Sequence, residues 1–128
     1  MSYYFNKTIK SSFDDAVSRV IEELKREGFG VLTEINVKET LKKKLDVDFR
    51  NYRILGACNP PFAYQALQAE DKIGTMLPCN VIVQQVDAET VEIAAIDPLA
   101  SMAAVKNDTL MDVAGQVRDK LNRVIKNI

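Results

Sequence analysis

Two short phrases, Ala57-Cys58-Asn59-Pro60 and Leu77-Pro78-Cys79-Asn80, contain both cysteines of a 128-residue chain that has no histidine. In each phrase Asn follows Cys, a Pro lies within two residues, and an apolar run with strand character adjoins. Two thiols brought together by folding could cycle between dithiol and disulfide, or hold a soft metal ion in low coordination. Cys58 falls where a strand gives way to a helix opening at Pro60-Pro61, and the backbone N–H groups of a helix mouth favour a thiolate. The competing reading is packing, because free cysteine is among the most buried residue types and behaves as a small hydrophobe. Asn59 and Asn80 would shape the rim of a thiol site, and Asn59 also stands where a helix N-cap is expected. Glu34 lies on a strand face that Leu32 makes partly apolar, so its carboxylate is either a candidate acid or base or the partner of Lys42 or Arg53. The expected ligand-binding residues are Cys58, Asn59, Cys79, Asn80 and Glu34. Cys58 and Cys79 are the expected ligands of any metal, no residue is assigned as catalytic, and the cofactor is left open.

The absences are as informative. Without histidine there is no Ser–His–Asp or Cys–His pair, no zinc-protease motif and no facial-triad iron site. No phosphate-loop motif occurs, and Gly28-Phe29-Gly30 stands at a helix exit, the wrong context for a dinucleotide-binding turn. No C-x-x-C pair is present. An enzyme using Glu34 with a cysteine nucleophile would lack a histidine base, so a binding role is favoured over an enzymatic one and enzyme status is left open. The alternative to a thiol site is a module for a small apolar or anionic metabolite, with the cysteines merely lining its wall.

Composition sets the frame. Apolar residues make up 47% and charged residues 27% of the chain, a globular balance for one domain over residues 1–128. The 17 basic and 18 acidic residues leave a net charge of −1, so no overall field draws in nucleic acid or an anionic membrane. The basic run Lys42-Lys43-Lys44 has acidic neighbours Asp46 and Asp48 and reads as a solvated helix end. No apolar run is long enough for a membrane helix, and the N-terminus lacks a signal-peptide pattern, so a cytoplasmic protein with reduced thiols is expected.

The elements that must position these residues follow from periodicity and punctuation. Residues 3–10 suit a strand. Ser12 with Asp15 reads as a capping box before the apolar positions Phe13, Val17, Val20, Ile21 and Leu24, and Gly28 supplies the stop. Alternation predicts a strand over Phe29–Asn36, with Phe29, Val31, Thr33 and Ile35 on one face. A short helix over Val37–Leu45, a strand over Tyr52–Ala57 and a Pro-started helix from Pro60 to about Gln68 come next. Pro78 separates a short stretch at Thr75–Leu77 from a strand at Asn80–Val86. Asp87-Ala88-Glu89 reads as a hairpin turn into Thr90–Ile96, where Asp97-Pro98 ends the strand. Asn107 or Asp108 caps a last helix carrying the apolar stripe from Leu110 to Ile128. The order is β-α-β-α-β-α-β-β-α, an α+β domain.

Gly28-Phe29-Gly30-Val31-Leu32-Thr33-Glu34-Ile35-Asn36-Val37, Tyr52-Arg53-Ile54-Leu55-Gly56-Ala57-Cys58-Asn59-Pro60 and Leu77-Pro78-Cys79-Asn80-Val81 are long, specific phrases. On them the chain closely resembles the uncharacterised domain-of-unknown-function 302 family over nearly its whole length. The resemblance implies a TATA-box-binding-protein-like arrangement, a curved antiparallel sheet with helices packed on one face, associating as a homodimer. It transfers no activity and no catalytic residue, and a fold shared with a DNA-binding saddle does not imply DNA binding.

Overall fold

The computed structural model describes residues 2–128. Its elements are β1 (Tyr4–Lys10), α1 (Phe13–Arg26), β2 (Gly30–Asn36), α2 (Val37–Leu45), β3 (Tyr52–Cys58), α3 (Pro60–Ala69), a 3-10 segment (Asp71–Met76), β4 (Cys79–Gln85), β5 (Thr90–Ile96), α4 (Pro98–Ser101) and α5 (Asp108–Lys126). The strands form one five-stranded sheet in the order β1-β5-β4-β3-β2, and each neighbouring pair is antiparallel. This is the expected α+β architecture.

Local chemistry accounts for the elements. The Ser12 hydroxyl accepts from the Asp15 N–H at 3.2 Å, starting α1, and Asp14 and Asp15 lie at the helix end that favours negative charge. The chain leaves the helix through Gly28, whose φ of 87° is disfavoured for any residue with a Cβ. Asn107 begins α5 in the same way, its Oδ1 accepting from the Leu110 N–H at 3.0 Å while its Nδ2 donates to the Ala69 carbonyl at the end of α3. Asp97 is buried and holds α4. Its Oδ1 accepts from the Leu99 N–H, and its Oδ2 accepts from Arg118 Nε on α5 at 3.2 Å.

α1 and α5 pack on one face of the sheet. Val17, Val20 and Leu24 of α1, with Leu110, Val113, Leu121 and Val124 of α5, are buried against Leu55, Val81, Val83, Val91 and Ile93. Each fully buried Leu or Ile side chain contributes about 2 kcal/mol of transfer free energy, so this interface dominates stability. The other sheet face carries no helix core. It presents Tyr4, Ile35, Ile54, Ile82 and Ala94 together with Asn80, Gln84 and Glu92.

One expectation is corrected. Val31 pairs with Ala57 but Thr33 pairs with Gly56, so Leu32 is an extra residue in β2, a bulge that breaks the strict alternation. Val31 therefore faces the helices, whereas Thr33 and Ile35 turn to the open face and Glu34 pairs with Leu55 on the helix face. Thr75 and Met76 close the 3-10 segment, where the Leu77 N–H donates to the Gly74 carbonyl.

Candidate functional site

β3 and β4 end side by side, with Ala57 directly opposite Cys79. Above them lie α3, the 3-10 segment and the first half of α5, and the space between them is a half-open cavity of about 350 Å³. β3 and its exit contribute Ala57, Cys58 and Asn59, and Pro78 and Cys79 come from the entry to β4. Phe62, Ala63, Ala66 and Leu67 of α3 face Val113, Ala114 and Val117 of α5, while Phe29, Leu32, Leu77 and Met102 complete most of the remaining wall. No lining residue carries a charge or a hydroxyl, and the Asn59 amide holds the only side-chain nitrogen or oxygen. At the edge, Leu32 is 68% and Leu67 44% exposed.

Both cysteines thus border one cavity, and both are free thiols. Cys79 is buried, and burial pushes its thiol from the ordinary 9.0 up to about 11, with the charge of nearby Cys58 acting in the same direction. Cys79 is therefore a protonated, weakly reactive group at neutral pH. Among the described residues no cluster of three or more His, Cys, Asp or Glu could hold a metal ion.

Asn59 occupies the N-cap position of α3, yet its side chain makes no capping bond. The reason is the sequence that follows: Pro60 and Pro61 have no N–H, so two of the donors a helix start normally offers do not exist. The amide turns away and donates from Nδ2 to the Glu27 carbonyl at 3.1 Å, tying α3 to the exit of α1. Gly28 makes room for it, since a Cβ there would lie 3.2 Å from Nδ2. Gly56 has a similar duty. A Cβ at Gly56 would collide with the Thr33 hydroxyl and stand 2.7 Å from Pro78 Cγ, so the strands close only over bare backbone.

The remaining two residues of the expected site lie elsewhere. Asn80, one position beyond Cys79, points to the opposite sheet face, where it borders a second hollow of about 360 Å³ with Tyr4, Tyr52, Gln84 and Glu92. Glu34 is bonded to Arg53 Nη1 at 2.6 Å and is 42% exposed, and the Arg53 guanidinium stands 5.6 Å from the centre of the Phe13 ring. That ion pair is the bland alternative raised for Glu34 from the sequence. Lys42 and Lys43 pair with Asp46, Asp48 and Glu39 on the surface. The α5 contribution to the cavity carried no signal of its own, since Val113, Ala114 and Val117 are read equally well as ordinary core positions of an amphipathic stripe.

A family model described as Domain of unknown function DUF302 matches residues 5–128. The chain belongs to this family. A DUF302 protein from Bacillus stearothermophilus, whose crystal structure is described as that of an uncharacterized conserved protein, is similar to this chain with a TM-score of 0.90 and 28% sequence identity. The likeness covers 98% of each chain, so the whole DUF302 domain, including the segments that enclose the cavity, is shared in outline. No curated protein matches the chain. No helix among the described residues of this DUF302 domain is long and apolar enough to cross a membrane.

Proposed function

We propose that this domain is a binding module whose cavity between α3, α5 and the ends of β3 and β4 takes a small apolar molecule, with Cys58 and Cys79 as wall residues. The observation that carries this reading is the lining: about 350 Å³ of space bounded by apolar side chains, two thiols and a single amide. Small-molecule sites have this character, mostly apolar with few polar groups. The test uses the neutral fluorescent probe N-phenyl-1-naphthylamine. Saturable binding is expected for the native protein, and Ala114→Phe, which fills the cavity from α5, is expected to weaken it by more than about tenfold, or roughly 1.4 kcal/mol. Unchanged affinity in that variant, with native helix content retained, would place the probe elsewhere.

A thiol-based reading is the second. It is favoured by both cysteines bordering one cavity, near enough for the charge of Cys58 to act on Cys79. A soft monovalent metal would then have to displace the proton of Cys79, or an oxidant close the pair. Cys58→Ala with Cys79→Ala separates the readings. The apolar-ligand reading expects probe affinity of the double variant within a few fold of native, whereas the thiol reading expects copper(I) uptake by the native protein and none by the double variant.

We further propose that the domain works as a cytoplasmic homodimer through its open sheet face. Tyr4 and Ile35 there are 40% and 47% exposed, and Ile54, Ile82 and Ala94 lie between them and remain partly accessible. A continuous apolar row across an uncovered sheet face, flanked by the polar Asn80, Gln84 and Glu92, suits a second copy of the same face. Light scattering is expected to give twice the chain mass for the native protein and the monomer mass for Ile82→Glu. A native monomer at all concentrations would remove this proposal.

A further inference from the structure

We propose that the cavity's ligand is neutral, about the size of a fused two-ring molecule, and carries one N–H or O–H donor that is received by Asn59 Oδ1. This inference rests on the apolar-ligand reading above and names the class of molecule.

Charge is disfavoured on two counts. None of the residues around the cavity is ionisable apart from the two thiols, so an ionised ligand would lose its hydration without gaining a partner. A helix start is the usual remedy for a buried anion, because its first N–H groups are free. Here α3 begins Pro60-Pro61, and the Ala63 N–H is already bonded to the Asn59 carbonyl, so the Phe62 N–H is the only early donor left. The helix that borders the cavity is thus nearly mute toward anions.

The single polar feature is specific. Asn59 is only 8% exposed, and its Nδ2 donates to the Glu27 carbonyl. Because a carbonyl can only accept, this bond fixes which end of the amide is nitrogen and which is oxygen. Among the described residues nothing donates to Oδ1. The bond to Glu27 holds the amide in place, so Oδ1 is the one side-chain nitrogen or oxygen without a protein partner among the residues that line the cavity. A molecule bringing one donor satisfies it, and a molecule of the same shape without a donor leaves it bare.

The space sets the size. A cavity of about 150 Å³ admits benzene. This one is more than twice as large, at about 350 Å³.

The experiment compares 2-naphthol, 2-methylnaphthalene and 2-naphthoate as competitors of the bound probe at pH 7. For the native protein, 2-naphthol is expected to bind about tenfold better, relative to its partition into cyclohexane, than 2-methylnaphthalene. 2-Naphthoate is expected to compete at least tenfold less well than 2-naphthol. In Asn59→Ala the advantage of 2-naphthol over 2-methylnaphthalene is expected to disappear, a difference between ligands that a general loosening of the fold would not produce. If that variant does not fold, the partition-corrected comparison on the native protein decides alone. Equal corrected affinities, or 2-naphthoate binding as tightly as 2-naphthol, overturn the inference while leaving an apolar site in place. Failure of all three compounds and of the probe removes the site itself.

Discussion

Gly56→Ala is expected to destabilise the protein by about 3 kcal/mol, lowering its urea midpoint by about 2 M. The added methyl would meet the Thr33 hydroxyl on β2 on one side and Pro78 Cγ, 2.7 Å away, on the other. Neither neighbour is the loose end of a long side chain. Thr33 is held in register opposite Gly56, and Pro78 is a ring fixed at the entry to β4. Relief therefore requires β2 or the start of β4 to move, and both border the cavity. Thr33→Ala in the same chain is expected to return part of the loss, leaving the Pro78 contact. Gly30→Ala is the control: nothing lies within 4 Å of its Cβ position, so a change of no more than about 0.5 kcal/mol is expected. Equal urea midpoints for Gly56→Ala and the native protein would show that these strands are not closed as described.

The second large effect is alkaline. Cys79 keeps its proton in the folded protein up to about pH 11, whereas an exposed thiol loses it near 9.0. Below pH 9 both the folded and unfolded chains carry the neutral thiol and the full stability is present. Between pH 9 and 11 the unfolded chain ionises first, so stability falls as pH rises, by about 3 kcal/mol for a shift of this size once both are ionised. Urea unfolding at pH 8 and pH 10.5 is expected to show a steeper loss in the native protein than in Cys79→Ala, from which this titration is absent. Tyrosines and lysines ionise in both proteins and drop out of the comparison. Parallel losses would mean that the thiol is not shielded. The same shielding predicts that iodoacetamide at pH 8 leaves Cys79 unmodified in the folded state and labels it in urea.

How far the sequence could be read depends on what kind of signal each part leaves. α1 and α5 announce themselves, because an N-cap, a charge gradient and a long apolar stripe all agree over several turns. β5 matches the expected Thr90–Ile96, bounded by a turn whose Asp87 carboxylate binds the N–H groups of Glu89 and Thr90 and by Asp97-Pro98. β2 is harder. Val, Leu, Thr, Glu and Ile follow one another with no Gly or Pro to mark an insertion, so the bulge at Leu32 is visible only through its pairing with β3. That single extra residue decides which side Thr33, Glu34 and Ile35 occupy.

The candidate site divides along the same line. Cys58 and Cys79 each border a strand end, and antiparallel pairing of β3 with β4 brings those ends together. Asn80 faces away from Cys79, as successive residues of a strand do, whereas Cys58, the last residue of β3 and one beyond the partner of Cys79, still borders the cavity at the strand's end. Asn59 stands at the expected helix start, yet Pro61 removes a donor that its side chain would bind. Its actual partner, the Glu27 carbonyl, is 32 residues away in sequence and leaves no local trace.

The strand order β1-β5-β4-β3-β2 puts the first two strands at opposite margins, running parallel, with the β3–β5 meander between them. Four strand spacings separate them, about 19 Å. The connection that must travel this width, and also return along the strands, is α1 with a few flanking residues. Its 14 residues extend about 21 Å. α1 is therefore a strap of nearly fixed length that fastens both margins at once. Peeling either outer strand pulls on the helix that anchors the other, which makes the two borders of the sheet a single mechanical unit.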